Sequence, residues 1–103
     1  MIFPFSLLFP ARQKSAVIKL VPAKNVVSIV HGTRTVLMDT QGGHYWGLDD
    51  VGSRIWTLAQ RGYSVAAITK KLSEEYDAPE EQLDRDVERF VASMRQLKLL
   101  EVA

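Results

Sequence analysis

Cysteine is absent from the 103-residue chain, which removes disulfides, thiol nucleophiles and thiolate metal sites together. An excess of one charge is equally lacking. Thirteen Lys and Arg against twelve Asp and Glu leave a formal net charge of +1, so a function that relies on general attraction to nucleic-acid phosphates is not expected. The two histidines, His31 and His44, sit beside expected turns without an i,i+4 partner, and no metal ligand set is read from them. Ser53, Ser64, Ser73 and Ser93 fall outside any G-x-S-x-G elbow, which argues against acyl transfer. No apolar run approaches the ~20 residues that cross a bilayer. The opening MIFPFSLLFP lacks a basic start and is broken by Pro4 and Pro10, so it is not read as a signal peptide. A cytoplasmic protein with no membrane contact, no cofactor and no catalytic residues is the expectation.

What the chain does contain is an ordinary globular composition, 47% hydrophobic and 24% charged, enough for one core at this length. Residues 1–23 have no clear period and are set apart as an N-terminal arm, leaving 24–103 as the domain. From Val26 the pattern sharpens. Val26, Val27, Ile29 and Val30 form a β-branched run, His31-Gly32 a turn, and Thr35 to Met38 a second run. Gln41-Gly42-Gly43 reads as another turn, followed by the aromatic strand His44-Tyr45-Trp46-Gly47-Leu48. The hydrophobic period then changes from two to 3.6. Asp49 and Ser64 are N-cap candidates for helices over about 50–61 and 65–76. Pro79-Glu80-Glu81 has the composition of a third helix's first turn. That third helix carries Leu83, Val87, Phe90, Val91, Met94 and Leu97 at spacings of three and four. The expected class is α+β: a three-stranded antiparallel sheet followed by three helices, winged-helix-like in content.

The strand VLMD, the glycine turn and the segment GGHYWGLDDVGSRIWTLAQRGYSVAAI, followed by ITKKLSEEYDAPEEQLDRDVERFVASMRQLKLL, resemble the PqqD-like family across residues 35–100. The resemblance is carried by the small-residue turn, the aromatic strand, Leu48 with Asp49, and the Ile55-Trp56 pair. Tyr76, the Asp86-Val87 pair and the closing Leu99-Leu100 extend it. The short form with GHYWGL before the first helix is most similar to the stand-alone recognition proteins of lasso-peptide gene clusters. The resemblance implies a non-catalytic domain that binds the leader of a ribosomal precursor peptide as an added strand beside its third strand, against its third helix. It implies as partners that leader and a leader peptidase or other modifying enzyme.

The residues permit such a role. An edge strand offers unpaired backbone groups to an extended chain. On the third strand His44, Trp46 and Leu48 alternate with Tyr45 and Gly47. On the third helix Val87, Val91 and Met94 are candidates to meet peptide side chains, and Arg85, Glu88, Arg89 and Arg95 to select their charge. The peptide-binding set is therefore His44, Tyr45, Trp46, Gly47, Arg85, Val87, Glu88, Arg89, Val91, Met94 and Arg95. The same residues allow blander readings, with the aromatics as simple strand packing and the arginines as a solvated face. Two alternatives stay open for the whole chain: a winged-helix DNA-binding protein, and a homodimerisation module.

Overall fold

The computed structural model describes residues 18–103; the expectations for the first part of the N-terminal arm lie outside the described residues. Five strands and three helices follow in the order β1 (Leu20–Pro22), β2 (Val26–His31), β3 (Arg34–Asp39), β4 (Tyr45–Leu48), α1 (Asp50–Gln60), α2 (Val65–Glu75), α3 (Glu80–Gln96) and β5 (Leu100–Val102). The expected α+β arrangement is present. The antiparallel sheet β2-β3-β4 is the meander read from the sequence, with Ile29 opposite Val36 and Leu37 opposite Trp46.

A second pairing was not expected. β1 and β5, from the two ends of the described chain, form an antiparallel two-stranded ribbon with Val21 opposite Glu101. Leu20 is buried in the same core as the helices, so residues 18–23 fold with the rest. Ala23 N–H donates to the Leu99 carbonyl at 3.0 Å, tying the ribbon to the end of α3.

α1 and α2 begin, and α1 and α3 end, for local reasons. The Asp49 carboxylate accepts the Gly52 N–H at 2.7 Å and caps α1, and the Ser64 hydroxyl accepts the Ala67 N–H at 3.2 Å and caps α2. Both satisfy donors that the first helical turn leaves without partners. At the end of α1, Tyr63 N–H reaches the Leu58 carbonyl and Gly62 N–H the Ala59 carbonyl, with Gly62 at φ +88°. This is the paired 6→1 and 5→2 closure that needs one left-handed residue. α3 closes the same way, Leu99 to Met94 and Lys98 to Arg95, but here the left-handed residue is Lys98 at φ 62°. The turn swings the chain into β5 and inserts Leu99 and Leu100 into the core.

Leu37, Ile55, Trp56, Leu58, Ile68, Leu72 and Val87 are fully buried and join the sheet's inner face to the helices. The Trp56 indole N–H is enclosed with no acceptor among the described residues. Arg54 clamps α1 to α2 through a two-pronged bond to Glu75, at 2.9 and 2.7 Å. That bond raises the Arg54 pKa and lowers the Glu75 carboxyl below its ordinary range. Thr33 donates to Asp50 at 2.9 Å and Arg34 lies 3.7 Å from the same carboxylate, holding the β2–β3 turn to the start of α1.

Because a side chain costs about 1–2 kcal/mol in the left-handed region and glycine does not, Lys98→Gly is expected to raise unfolding stability by up to about 1 kcal/mol after glycine's greater freedom when unfolded is offset. Urea denaturation of the two proteins measures it. A destabilised variant would mean that the Lys98 side chain contributes more than its backbone conformation costs.

Candidate functional site

Among the described residues the meander leaves β4 with a strand neighbour on one side only. Which of its backbone groups face outward follows from the ladder. Asp39 N–H donates to the His44 carbonyl at 2.9 Å, in the register that pairs Leu37 with Trp46 and Thr35 with Leu48. In an antiparallel pair the direction alternates residue by residue, so His44, Trp46 and Leu48 bond toward β3. The N–H and C=O of Tyr45 and Gly47 point to the free side. These are the groups that an added strand would take up.

Side chains alternate on the other axis. Leu48 is buried and Trp46 half-buried against the core, while Tyr45 is 65% exposed. Trp46 thus secures the strand to the helices, and Tyr45 stands on the outer face next to the backbone groups that are free. The His44 ring lies 5.9 Å from Trp46, tilted by 43°, on the exposed end of the same side.

The turn before β4 is held by one carboxylate. Asp39 Oδ1 accepts Asn25 Nδ2 at 2.7 Å and the Gln41 N–H at 2.9 Å, and the Asp39 carbonyl accepts the Gly43 N–H at 2.7 Å. The Asn25 side chain, then the Gly42 and Gln41 N–H groups, hold the Asp39 carboxyl below its ordinary pKa. This one residue fixes where β3 ends, where the turn closes and where β4 starts.

One residue beyond β4 a cavity of about 370 Å³ opens between α1 and α3, lined by Asp49, Val51, Gly52, Ile55, Asp86, Arg89, Phe90 and Ser93. Its floor exists because residue 52 has no side chain. A Cβ there would stand 3.1 Å from the Phe90 ring and 3.1 Å from Asp49 Oδ1, so glycine lets Phe90 lie close to the first turn of α1. The walls are apolar at Val51, Ile55 and Phe90 and carry charge at the rim, where the exposed Arg89 lies 4.0 Å from the half-buried Asp86. Such a pair contributes only ~0–1 kcal/mol and leaves the guanidinium able to exchange partners.

The structure brings His44, Tyr45, Trp46 and Gly47 to the β4 edge and Arg89 to the cavity. Val87, Val91 and Met94 are buried in the core, so the row of α3 that meets the cavity is Asp86, Arg89, Phe90 and Ser93. Arg85 and Arg95 are exposed and Glu88 half-buried, none of them lining it. The lining of α1 by Val51 and Gly52, and the part played by Asp86 and Ser93, were not singled out from the sequence. The only signal there was Gly52 itself, a glycine in the first turn of an amphipathic helix. Among the described residues no His, Cys, Asp or Glu cluster could hold a metal ion, and no helix is long and apolar enough to cross a membrane.

Among the described residues the site is thus a small meander with a free, aromatic-flanked edge at β4, backed by three helices that leave an apolar cleft at the strand's end. The family model described as coenzyme PQQ synthesis protein D (PqqD) matches residues 34–100, and the chain belongs to the PqqD family. It is similar to TbiB1, whose structure is known in complex with the TbiA(beta) leader peptide, with 34% identity, a TM-score of 0.76, and 79% of this chain and 94% of that one covered. It also shares its fold with a lasso peptide synthetase B1 complexed with the leader peptide, at 23% identity and a TM-score of 0.76, over 81% of this chain and 98% of that one. No curated protein matches by sequence. The chain is therefore a homologue of leader-peptide-binding B1 proteins.

The Asp39 carboxylate predicts an acid-sensitive turn. A carboxyl whose pKa is lower in the folded than in the unfolded state stabilises fully above the unfolded value, and that contribution is lost as pH falls through the folded value. Thermal stability is expected to drop more steeply below pH ~4 in the native protein than in Asp39→Asn. Parallel acid profiles of the two would show that the carboxylate contributes nothing.

Proposed function

We propose that this protein captures the leader segment of a ribosomally made precursor peptide by strand addition to β4 and presents it to a processing enzyme, such as the leader peptidase of lasso-peptide biosynthesis. The observation that carries this reading is the coincidence of outward backbone groups at Tyr45 and Gly47 with an apolar cavity in line with the same strand. Main-chain bonds to an edge give affinity with little regard to sequence, and pockets for alternate side chains supply selection. The cavity bounded by Val51, Ile55 and Phe90 suits a large apolar or aromatic residue of the peptide. Arg89 at its rim favours an acidic neighbour.

In this reading the domain performs no chemistry. Holding a leader in a fixed orientation beside a partner enzyme raises the local concentration of substrate and makes catalysis effectively intramolecular. The homology to TbiB1, solved with a leader peptide, supports a leader as the ligand. The route to the partner enzyme is the resemblance to lasso-cluster proteins. A cytoplasmic location fits a step that precedes export of the product.

The test is anisotropy titration with labelled leader peptides from short precursor genes beside this one, against a scrambled leader. Gly47→Pro removes one outward N–H while leaving the Trp46 and Leu48 bonds to β3 in place. Affinity is expected to fall at least tenfold, equivalent to about 1.4 kcal/mol. Tyr45→Ala is expected to weaken binding with the fold intact, whereas Trp46→Ala weakens both, because Trp46 packs on the core. A folded Gly47→Pro that binds the leader as tightly as the native protein would overturn strand addition at β4.

A further inference from the structure

Among the described residues the sheet has a second free edge, at β2, and we propose that it joins two copies of this chain into a symmetric dimer whose two β4 edges stay free at the outer ends of one continuous sheet. Natural edge strands are normally guarded by lysine, proline or a bulge. β2 reads VVSIVH, with none of these, and its pairing with β3 runs unbroken from Val26 to His31. Val27, Ile29 and Val30 are 44%, 52% and 68% exposed.

The backbone pattern identifies which copy-to-copy register fits. The Thr40 N–H donates to the Asn25 carbonyl at 2.8 Å, in register with Val26 opposite Asp39. By the same alternation Val27, Ile29 and His31 bond toward β3, and Val26, Ser28 and Val30 face outward. The outward Val26 N–H is already donated to the Ala23 carbonyl at 3.1 Å. The residues left with both groups free are therefore Ser28 and Val30. An antiparallel twofold centred on Ile29 places Ser28 of each copy opposite Val30 of the other, so that all these free groups are used and none is left over.

The side chains agree with that register. Paired residues of an antiparallel ladder share a face, and a centre at Ile29 keeps odd residues with odd and even with even. Ile29 meets Ile29 of the second copy on the outer face in the closer, non-bonded type of pair, with no charge on either strand to oppose it. On the inner face a cavity of about 300 Å³ beside Val30, lined also by Thr35, Ser53 and Thr57, leaves room for the small Ser28 of the second copy. A single strand pair covers less than the roughly 800 Å² per partner of a standard interface, so the dimer belongs to the micromolar range or weaker. Any docking at β2 leaves Tyr45 and Gly47 untouched, since β3 lies between the two edges.

Sedimentation equilibrium of the full chain tests this. A monomer–dimer equilibrium is expected below ~1 mM. Ile29→Lys, at a side chain half in solvent, sets two like charges opposite each other across the twofold and is expected to raise the dimer dissociation constant at least tenfold. Ser28→Pro removes the outward N–H, together with the hydroxyl that accepts Gln60 Nε2 at 3.4 Å, and is expected to do the same. Leader binding by both variants should match the native protein at one leader per chain. A native chain that stays monomeric to ~1 mM, or a dimer indifferent to both substitutions, would overturn the proposal; a dimer lost when leader binds would place the interface at β4 instead.

Discussion

A three-stranded meander cannot satisfy the outward backbone groups of its two outer strands, and everything else in this domain is arranged around that constraint. Among the described residues β3 alone has neighbours on both sides, and its Leu37 is the fully buried centre of the sheet. The flanking strands differ in how their inner residues are held. β4 is pinned through Trp46 and Leu48 against the helices, whereas β2 packs Val26 on the core but leaves its inner-face Val30 68% exposed, with Ile29 in solvent on the outer face. The two edges are thus chemically distinct surfaces, one backed by an apolar cleft and aromatic side chains, the other bare and β-branched.

The site depends on a short series of local devices that set distances. Asp39, bound to Asn25 and the Gln41 N–H, fixes the turn that starts β4. Asp49 caps α1 one residue after the strand ends, so strand and helix share a rigid corner. Gly52 in that first turn admits the Phe90 ring at contact distance, which sets how close α3 comes and how deep the cavity is. A substitution at any of these positions would act on ligand affinity through geometry, without touching the ligand. The Arg54–Glu75 clamp acts further away, holding α2 so that α3, which follows it, lies where the cavity needs its wall.

Much of this was legible in the sequence because it rests on local chemistry. The change of period at Asp49 marked the passage from sheet to helices; Asp49 and Ser64 marked two helix starts through their capping side chains, and Pro79, which makes no side-chain cap bond, marked the third through its fixed backbone and missing donor. Tyr45 and Gly47 could be assigned to one face from alternation alone. The β1–β5 ribbon was not legible, since strands of three residues show no alternation and their pairing joins residues about eighty apart. The third helix shows the limit of periodicity more sharply. Its apolar stripe named Val87, Val91 and Met94, but a stripe indicates which residues avoid water, not which element covers them. Packing buries those three and turns the adjacent row, Asp86, Arg89, Phe90 and Ser93, to the cavity.

Amide hydrogen exchange by NMR, with and without a saturating leader peptide, reports on whether β4 receives the leader. In the free protein the Tyr45 and Gly47 amides face solvent and the Trp46 amide is bonded to β3. With strand addition at β4, the leader slows exchange at Tyr45 and Gly47 while leaving Ser28 and Val30 unchanged by its binding. Tight leader binding with Tyr45 and Gly47 exchanging as fast as before would contradict it, and would move the ligand off the β4 edge altogether.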